Sequence, residues 1–240
     1  MGKEILIDRL RLPYTHVSVA LNELDGYNPG LWNLGKIYTY SIQYEPFLHI
    51  DNDVFVFKEF EPYIINAPLV AQNLEKKVPG YSKTFKNMVE TFPTIPQHLR
   101  SIYNLDFTPS CNAGILGGAN TAFFQHYMQE VFSFIKDNEI DIGRLVNFNA
   151  GNISVILEQV FFYSLALHYN LDIAYLLPEA DGFPPQIGYF HEAKKNKDFV
   201  HCVSFFKKDR VAYSLLELKL QQNYPEDYRR INDLIAESEI

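Results

Sequence analysis

The sequence predicts an α/β protein with a mixed, mostly parallel sheet flanked by helices, and three observations support this fold class. In residues 45–57, EPFLHIDNDVFVF, an apolar run ends in two aspartates and then resumes. Unbroken Phe, Leu, Ile and Val are typical of a strand covered on both faces, as in a parallel sheet. The patterns before it alternate helix, strand, helix and strand, as in an α/β sandwich. The hydrophobic content of 47% can build a large core, and we expect a single domain over residues 1–240.

The amino-terminal elements are predicted from periodicity and capping. Apolar side chains in residues 3–10 have helical spacing, and the helix ends before Pro13 because proline disfavours helix in the preceding residue. Residues 16–21, HVSVAL, alternate like a strand. Asn28 followed by Pro29 gives an N-cap and a proline that a first helical turn tolerates, which predicts a helix to about residue 44.

Helices and strands continue in the second half of the chain. Residues 62–108 contain several breakers and predict substrate-contacting loops, with one helix at 82–91. Residues 120–136 predict a helix capped by Asn120 or Thr121. Residues 154–170 are mostly apolar and predict a deeply buried helix. The remaining predictions are strands at 173–177 and 199–203 and helices at 214–223 and 225–237.

The composition narrows the possible partners. A formal net charge of −8 argues against a protein that neutralises nucleic-acid phosphates over a broad basic face. Cys111 and Cys202 are the two cysteines, which gives no disulfide framework and is typical of a reducing compartment. No apolar run is long enough to span a bilayer, and the first residues lack a secretory pattern. We therefore expect a cytoplasmic protein without an integral membrane segment or a nucleic-acid partner.

Asp51 and Asp53 are the strongest candidates for metal ligands. Burying uncompensated carboxylates costs several kcal/mol or more, so two acids at the end of one apolar strand imply a cation, a basic partner or solvent. A solvated turn is the alternative, because Asp and Asn are common in turns; the apolar segment that starts at Val54 leaves little room for one. Carboxylate oxygens favour Mn²⁺, Mg²⁺ or Ca²⁺, and Mn²⁺ and Mg²⁺ commonly complete their coordination with substrate phosphates.

His201 is the candidate for a third metal ligand. It lies in a short predicted strand, and Lys207 follows it with a charge that suits a phosphate. A core histidine beside a solvated basic pair is an equally good interpretation of this segment. Alternation places His49 on the same face as Asp51, but we assign His49 to packing because both faces of that strand are expected to be covered.

Further candidates are polar or small residues in otherwise apolar segments. Glycine at position 114 allows backbone to approach a ligand, and Asn112 could bond to a sugar hydroxyl, although both also suit an ordinary turn. Glu158 and Gln159 interrupt an apolar helix, either as hydrogen-bonded anchors within the core or as pocket residues. Lys36 could reach a phosphate from the preceding helix, although most helical lysines face solvent.

Together these motifs form an ordered set: Lys36 before Asp51 and Asp53, then Asn112 and Gly114, then Glu158 and Gln159, then His201 and Lys207. The set resembles the glycosyltransferase-A fold of glycogenin-like and capsular-polysaccharide sugar transferases, and more closely an uncharacterised bacterial family of that fold. The resemblance extends over the whole chain.

The resemblance implies a role for each of these residues. Asp51, Asp53 and His201 would bind Mn²⁺ or Mg²⁺ on the diphosphate of a nucleotide sugar, and Lys36 and Lys207 would stabilise phosphate charge. The other members would line the sugar or acceptor pocket or lie near the reacting carbon; these are Asn112, Gly114, Glu158 and Gln159. The implied activity is transfer of a sugar to a glycan or other hydroxyl acceptor.

One departure from that fold leads to further hypotheses. Its members normally begin with a strand, a helix and a second strand that bind the nucleoside, and only residues 1–50 precede the aspartates here. We expect the chain to start partway into the domain. A phosphatase of the haloacid dehalogenase type also places Asp-x-Asp after an apolar strand, but it needs a later acidic cluster. Its candidates are Asp137, Asp141, Glu179 and Asp181. A noncatalytic relative that binds sugar or nucleotide is the third hypothesis.

Overall fold

The computed structural model describes residues 3–78, 80–138, 150–181, 198–203 and 210–237, and over these residues the chain is mixed α/β, as predicted. The strands are β1 (Phe47–Ile50), β2 (Val54–Val56), β3 (Leu69–Ala71), β4 (Leu74–Lys76), β5 (Ser110–Cys111), β6 (Ile115–Gly118), β7 (Ile173–Tyr175), β8 (Ala180–Asp181) and β9 (Phe199–His201). The α-helices are α1 (Leu34–Ser41), α2 (Pro62–Ile65), α3 (Tyr81–Thr91), α4 (Gln97–Ile102), α5 (Thr121–Asp137), α6 (Ala150–Val155), α7 (Phe161–His168), α8 (Arg210–Asn223) and α9 (Pro225–Ala236). A π-helical turn at Glu4–Arg9, a 3₁₀ helix at Ala20–Leu24 and a π-helical segment at Ile156–Val160 complete the helical elements.

The described strands form three small sheets. The main sheet has the order β1-β6-β3-β7, and the others pair β2 with β9 and β4 with both β5 and β8. Only β3–β7 and β4–β8 are parallel among these pairs, and the other four are antiparallel. The predicted mixed sheet is therefore present, but the predicted parallel majority is wrong for the described strands. The apolar strand β1 was also expected to be covered on both faces, but it lies at an edge of the main sheet, its residues are only partly buried and Ile50 is exposed. An unbroken apolar run therefore determines neither the burial of a strand nor the direction of its neighbours.

Two glycines allow β6 to lie between β1 and β3. A Cβ atom at Gly117 would lie 2.1 Å from the carbonyl oxygen of Phe47, and one at Gly118 would lie 2.2 Å from the carbonyl oxygen of Pro68. Gly118 also has a φ of +142°, which residues with a side chain rarely adopt. The small residues at the end of β6 therefore set the close approach of the central strands.

The main core lies between this sheet and the helices α1, α3, α4, α5 and α7. Aromatic rings fill much of it: Phe124 of α5 packs edge-on against Phe47 of β1, with ring centroids 4.8 Å apart, and stacks on Phe162 of α7. Such burial is the main favourable term in folding. The core fixes α1 and the π-helical segment beside the carboxyl end of β1, where the candidate ligands lie.

Several predicted helices are confirmed. The helix at 82–91 corresponds to α3, and the helix at 120–136 corresponds to α5, where the Asn120 side chain accepts a hydrogen bond from the amide of Phe123. The helix at 154–170 is present as α6, the π-helical segment and α7. Among the described residues, no helix combines the length and apolar character needed to cross a membrane.

Two amino-terminal predictions are wrong. The segment 16–21 is not a strand, because residues 16–19 are exposed and lack a buried face, and the 3₁₀ helix begins at Ala20. The helix expected from Asn28 begins only at Leu34. Asn28 instead caps a turn by accepting from the amide of Gly30. Both predictions relied on short-range sequence patterns. In the structure, these patterns coincide with turns and a short 3₁₀ helix.

Candidate metal centre

The turn after β1 places both aspartates at one corner of the main sheet. The amide of Asp51 donates to the carbonyl of Gly114 at 2.8 Å, and its own carbonyl accepts from the amide of Val54 at 3.0 Å. The chain therefore turns tightly and enters β2 immediately after Asp53. Strand β2 pairs with β9 so that Val54 lies opposite His201. This pairing brings His201 close to Asp51 and Asp53.

Asp51, Asp53 and His201 converge as predicted. One potential ligand atom from each residue lies within 4.8 Å of the other two. Their side chains are 22%, 13% and 7% exposed, respectively, so the cluster is shielded but open to solvent on the side of Asp51. The three residues could therefore hold one ion between them.

The hydrogen bond on the far side of His201 orients its imidazole as a metal ligand. Its Nδ1 lies 2.8 Å from Oε1 of Gln72, an oxygen that can only accept, so Nδ1 carries the proton in the neutral ring. The lone pair of Nε2 then points towards Oδ1 of Asp53 at 3.5 Å. Metal-ligating histidines are commonly oriented in this way by a partner of the other ring nitrogen. Two carboxylates and an imidazole fit Mn²⁺, or Mg²⁺ with more water ligands.

Lys36 of α1 neutralises the acids beside this cluster. Its ammonium lies 2.8 Å from Oδ1 of Asp51 and 3.0 Å from Oε1 of Glu158. Burial lowers the pKa of Lys36, but the two carboxylates outweigh burial and raise it overall. Burial raises the pKa of Asp51, but hydrogen bonding from His49 and the charge of Lys36 lower it overall. Asp51 is therefore ionised at neutral pH and ready to bind a cation.

Glu158 lies behind Lys36. Its side chain is 1% exposed and accepts from the hydroxyl of Tyr40 at 2.9 Å. Burial raises the pKa of Glu158, although the charge of Lys36 opposes that shift. Its backbone belongs to the π-helical segment, where its carbonyl accepts from the hydroxyl of Tyr127 at 2.7 Å. The structure therefore places Glu158 where it orients Lys36, and single-turn π segments often occur at functional sites.

The sequence analysis assigned His49 to packing alone, and the structure shows that this assignment is wrong. Its Nε2 lies 2.9 Å from Oδ1 of Asp51, and its ring packs edge-on against Tyr40. The alternation that placed His49 on the face of Asp51 was the signal, because residues two apart on a strand share a face. His49 is thus a positioning residue for Asp51.

Asn112 and Gly114 lie beneath the candidate ligands. The Asn112 amide donates to Oε1 of Glu75 at 2.7 Å, and its oxygen accepts from the amide of Gly114 at 3.0 Å. Gly114 faces His201 so closely that a Cβ atom would lie 2.3 Å from the imidazole. Both residues therefore shape the backbone that supports Asp51 and His201.

The other predicted site residues have different outcomes. Lys207, like Asp141, lies outside the described residues. Gln159 is adjacent to Glu158, and its Oε1 is buried without a hydrogen-bond partner among the described residues. Sequence reasoning missed Gln72 and Glu75, which are fully buried in the stretch QNLE that follows the apolar residues of β3. Buried polar side chains need partners, so that stretch was a usable signal.

Comparison with known proteins gives a family without an assigned activity. The model of a family of unknown function, DUF6734, matches residues 1–234. The chain belongs to that family. No curated protein and no solved structure matches it.

We expect Glu75 to make the stability of this DUF6734 chain depend on pH. Burial raises the pKa of Glu75 from 4.5 to about 7, and the hydrogen bond from Asn112 opposes that shift only in part. The folded protein therefore binds a proton more tightly than the unfolded chain, and stability falls as pH rises from 4.5 through 7. The loss is about 3 kcal/mol, since each pKa unit corresponds to about 1.4 kcal/mol.

We expect Glu75→Gln to remove this dependence. The amide oxygen keeps the bond from Asn112, so the variant should match the wild type near pH 5 and be more stable by up to about 3 kcal/mol at pH 8. Urea unfolding at a series of pH values measures the difference. Glu61→Gln, an exposed matched control, should leave the curve unchanged. A parallel pH profile for Glu75→Gln and the wild type would contradict the prediction.

Proposed function

We propose that this protein is a metal-dependent glycosyltransferase that uses a nucleotide-diphosphate sugar. The observation that carries the proposal is the convergence of Asp51, Asp53 and His201 at the end of an apolar strand, with an imidazole lone pair directed at a carboxylate. Mn²⁺ and Mg²⁺ held by few protein ligands commonly bind substrate phosphates in their remaining positions. The ordered motifs of the sequence support the same activity.

Some residues of the cluster would bind the metal ion, and others would hold the metal ligands in position. Asp51, Asp53 and His201 would hold Mn²⁺ or Mg²⁺, and His49 and Gln72 would keep two of these ligands oriented. The bound ion supplies positive charge to the diphosphate oxygens, where negative charge grows as the glycosidic bond breaks. These side chains are preorganised by hydrogen bonds within the fold, so little rearrangement is required on substrate binding.

Lys36 is the second source of positive charge that we assign to the donor site. Its side chain is 17% exposed, and its ammonium is already fixed by Glu158. If Asp51 bound a cation, Lys36 would keep its contact with Glu158, and its ammonium would be available to a phosphate group. We propose the same phosphate-binding role for Lys207. Gln159 is the candidate for contact with the transferred sugar.

A large groove beside the cluster is the proposed acceptor site. Its volume is about 1180 Å³, and it runs between β2 and the helices α8 and α9. Val54, the residue after Asp53, is one of its lining residues. Aromatic and amide side chains line it and would suit a sugar-containing acceptor; they include Phe55, Tyr213, Tyr224, Tyr228 and Asn232.

The phosphatase hypothesis lacks support from the described acids. Asp51, Asp53 and His201 offer ligand atoms within 4.8 Å of one another, and no further acid among the described residues joins that group. Glu179, one of the four candidates, lies 2.7 Å from the ammonium of Lys76. The noncatalytic hypothesis differs from the proposal only in turnover, so the test below includes that outcome.

Calorimetry with Mn²⁺ and nucleotide sugars tests the proposal. We expect Mn²⁺ to bind the wild-type protein. We also expect at least one uridine-, guanosine- or thymidine-diphosphate sugar to bind only when Mn²⁺ is present. Asp53→Asn should weaken Mn²⁺ binding at least about tenfold, because even outer-shell changes cost that much at metal sites. Asp198→Asn is the matched control, since this acid is exposed and paired with Lys58.

Three results would count against the transferase. Absence of Mn²⁺ binding, or equal Mn²⁺ affinity in wild type and Asp53→Asn, would remove the metal centre. Metal-dependent release of phosphate from simple phosphoesters would favour the phosphatase. Metal-dependent binding of a nucleotide sugar without hydrolysis or transfer to any of a panel of glycans would favour the noncatalytic relative.

A further inference from the structure

A second group of potential metal ligands lies between α4, α5 and the end of α7. It consists of His98 on α4, His126 and Glu130 on α5, and His168 at the last position of α7. Nε2 of His98 lies 3.9 Å from Oε2 of Glu130, and Nε2 of His126 lies 3.7 Å from Oε1 of the same carboxylate. None of these residues belongs to the metal centre described above.

The hydrogen bonds of Ser164 determine where the proton of His98 lies. The Ser164 hydroxyl donates to the carbonyl of Phe161 at 3.1 Å, so its oxygen is left to accept from Nδ1 of His98 at 2.8 Å. Burial and, to a smaller extent, the neighbouring His168 and His126 lower the pKa of His98 to about 4, so the ring is neutral at neutral pH. The proton is on Nδ1, and Nε2 therefore carries a lone pair.

That lone pair is buried and faces another acceptor. The His98 side chain is 4% exposed, and its Nε2 has no hydrogen-bond partner among the described residues. The carboxylate of Glu130 lies 3.9 Å from this nitrogen and also offers only lone pairs when ionised. A buried acceptor without a donor is costly, so a buried lone pair that faces a partly exposed carboxylate indicates a place for a cation.

We infer that His98, His126 and Glu130 bind a zinc ion. Two imidazoles and one carboxylate form a ligand set that zinc uses when a fourth position remains open to water. Two ligands at 2.0–2.1 Å from a tetrahedral ion are about 3.3 Å apart. The two histidines now lie beside different oxygens of Glu130, and the three ligand atoms do not yet lie within 4.8 Å of one another, so His126 and Glu130 must close on His98 to share one ion. The imidazole-rich set suits zinc, whereas the carboxylate-rich cluster suits Mn²⁺ or Mg²⁺.

The two exposed ligands allow that closure. The side chains of His126 and Glu130 are 38% and 35% exposed, and each has space to turn towards His98. His126 gives up a hydrogen bond of 2.9 Å to the hydroxyl of Tyr169, which can then bond to Glu130 or solvent. A net hydrogen bond is worth only about 1 kcal/mol, much less than the free energy of a zinc site.

Zinc titration against a chromophoric chelator tests the inference. The experiment uses Asp53→Asn protein, in which binding at the first metal centre is weakened, so that failure of the proposed transferase does not affect the result. We expect that protein to take up one equivalent of Zn²⁺. Adding His126→Asn or Glu130→Gln should weaken uptake at least about tenfold. Both changes are at partly exposed residues, which avoids disturbing the buried His98.

A matched control and cobalt spectra make the test decisive. Gln129→Ala, an exposed neighbour of Glu130 on α5, should leave zinc uptake unchanged. Co²⁺ in the same site should give the visible absorption of a four-coordinate ion, and His126→Asn should alter that spectrum. If a water molecule rather than a metal bridges His98 and Glu130, the Asp53→Asn protein takes up no zinc. That result, or unchanged affinity in both ligand variants, overturns the inference.

Discussion

Replacing Lys36 with methionine is expected to destabilise the fold by about 3–5 kcal/mol, the usual cost of removing one partner from a buried ion pair. Methionine fills much of the same volume, so the loss is mainly electrostatic. Glu158 has a side-chain exposure of 1%, and without Lys36 it becomes an uncompensated charge in the core. Domains of ordinary stability have only about 5–15 kcal/mol to lose. Urea unfolding at neutral pH measures the effect.

A second substitution separates this cause from poor packing. Glu158→Gln keeps an oxygen that accepts from the hydroxyl of Tyr40 and removes the charge that Lys36 balances. Lys36→Met combined with Glu158→Gln should therefore recover a large part of the stability lost in Lys36→Met alone. Residues in one ion-pair network couple in this way. If the two substitutions were simply additive, the charge interaction would not be the source of the loss.

Divalent ions should partly restore the Lys36→Met protein. In the wild type, the ammonium lies 2.8 Å from Oδ1 of Asp51 and competes with any metal for that oxygen. The variant loses this competitor, so Mn²⁺ should stabilise it more than it stabilises the wild type at the same concentration. An equal or smaller gain would show that Asp51 does not contribute to the metal site.

The parts of the centre that the sequence predicts are those that leave a local trace. Asp51 and Asp53 interrupt an apolar segment, and His201 interrupts another, so each is conspicuous within its own strand. Their meeting depends on the pairing of β2 with β9, in which Val54 lies opposite His201. No local pattern specifies pairing across so long a separation. The order of motifs, compared with a known fold, supplied that link.

The errors have an equally physical origin. Alternation in residues 16–21 predicts a strand only if one face is buried, and residues 16–19 are exposed. The close approach of β6 to β1 and β3 depends on Gly117 and Gly118, because a Cβ atom at either position would clash with neighbouring backbone. Glycine has no side chain that contributes to a hydrophobic pattern, so analysis of periodicity does not detect this close approach. Hydrophobic patterning therefore does not show how closely neighbouring strands can pack.

The supporting residues were harder to recognise than the candidate ligands. Gln72 and Glu75 are buried, and their importance comes from partners distant in the sequence: His201 for Gln72 and Asn112 for Glu75. A sequence shows that a polar residue lies in an apolar segment, but its partner follows only from tertiary structure. His49 was an exception, since strand alternation already placed it beside Asp51.

Gly114→Ala is expected to abolish tight metal binding while leaving the three ligands in the sequence. The added methyl would lie 2.3 Å from both Cε1 and Nδ1 of His201 and 2.8 Å from Oε1 of Gln72, closer than real contacts allow. We expect Mn²⁺ affinity to fall by about a hundredfold, the upper end of outer-shell effects at metal sites. Stability should fall by about 1–3 kcal/mol from overpacking. Calorimetry and urea unfolding measure the two effects separately.

The imidazole rather than the backbone should give way in that variant. The carbonyl of Gly114 accepts from Asp51, and its amide donates to Asn112, so moving this backbone would break two hydrogen bonds. Tilting the ring breaks only the bond from His201 to Gln72, and it turns the Nε2 lone pair away from Asp53. Gly26→Ala is the control, because a Cβ atom there meets nothing within 4 Å. If Gly114→Ala bound Mn²⁺ as tightly as Gly26→Ala, then His201 would not be a ligand, and the centre would be reduced to two aspartates.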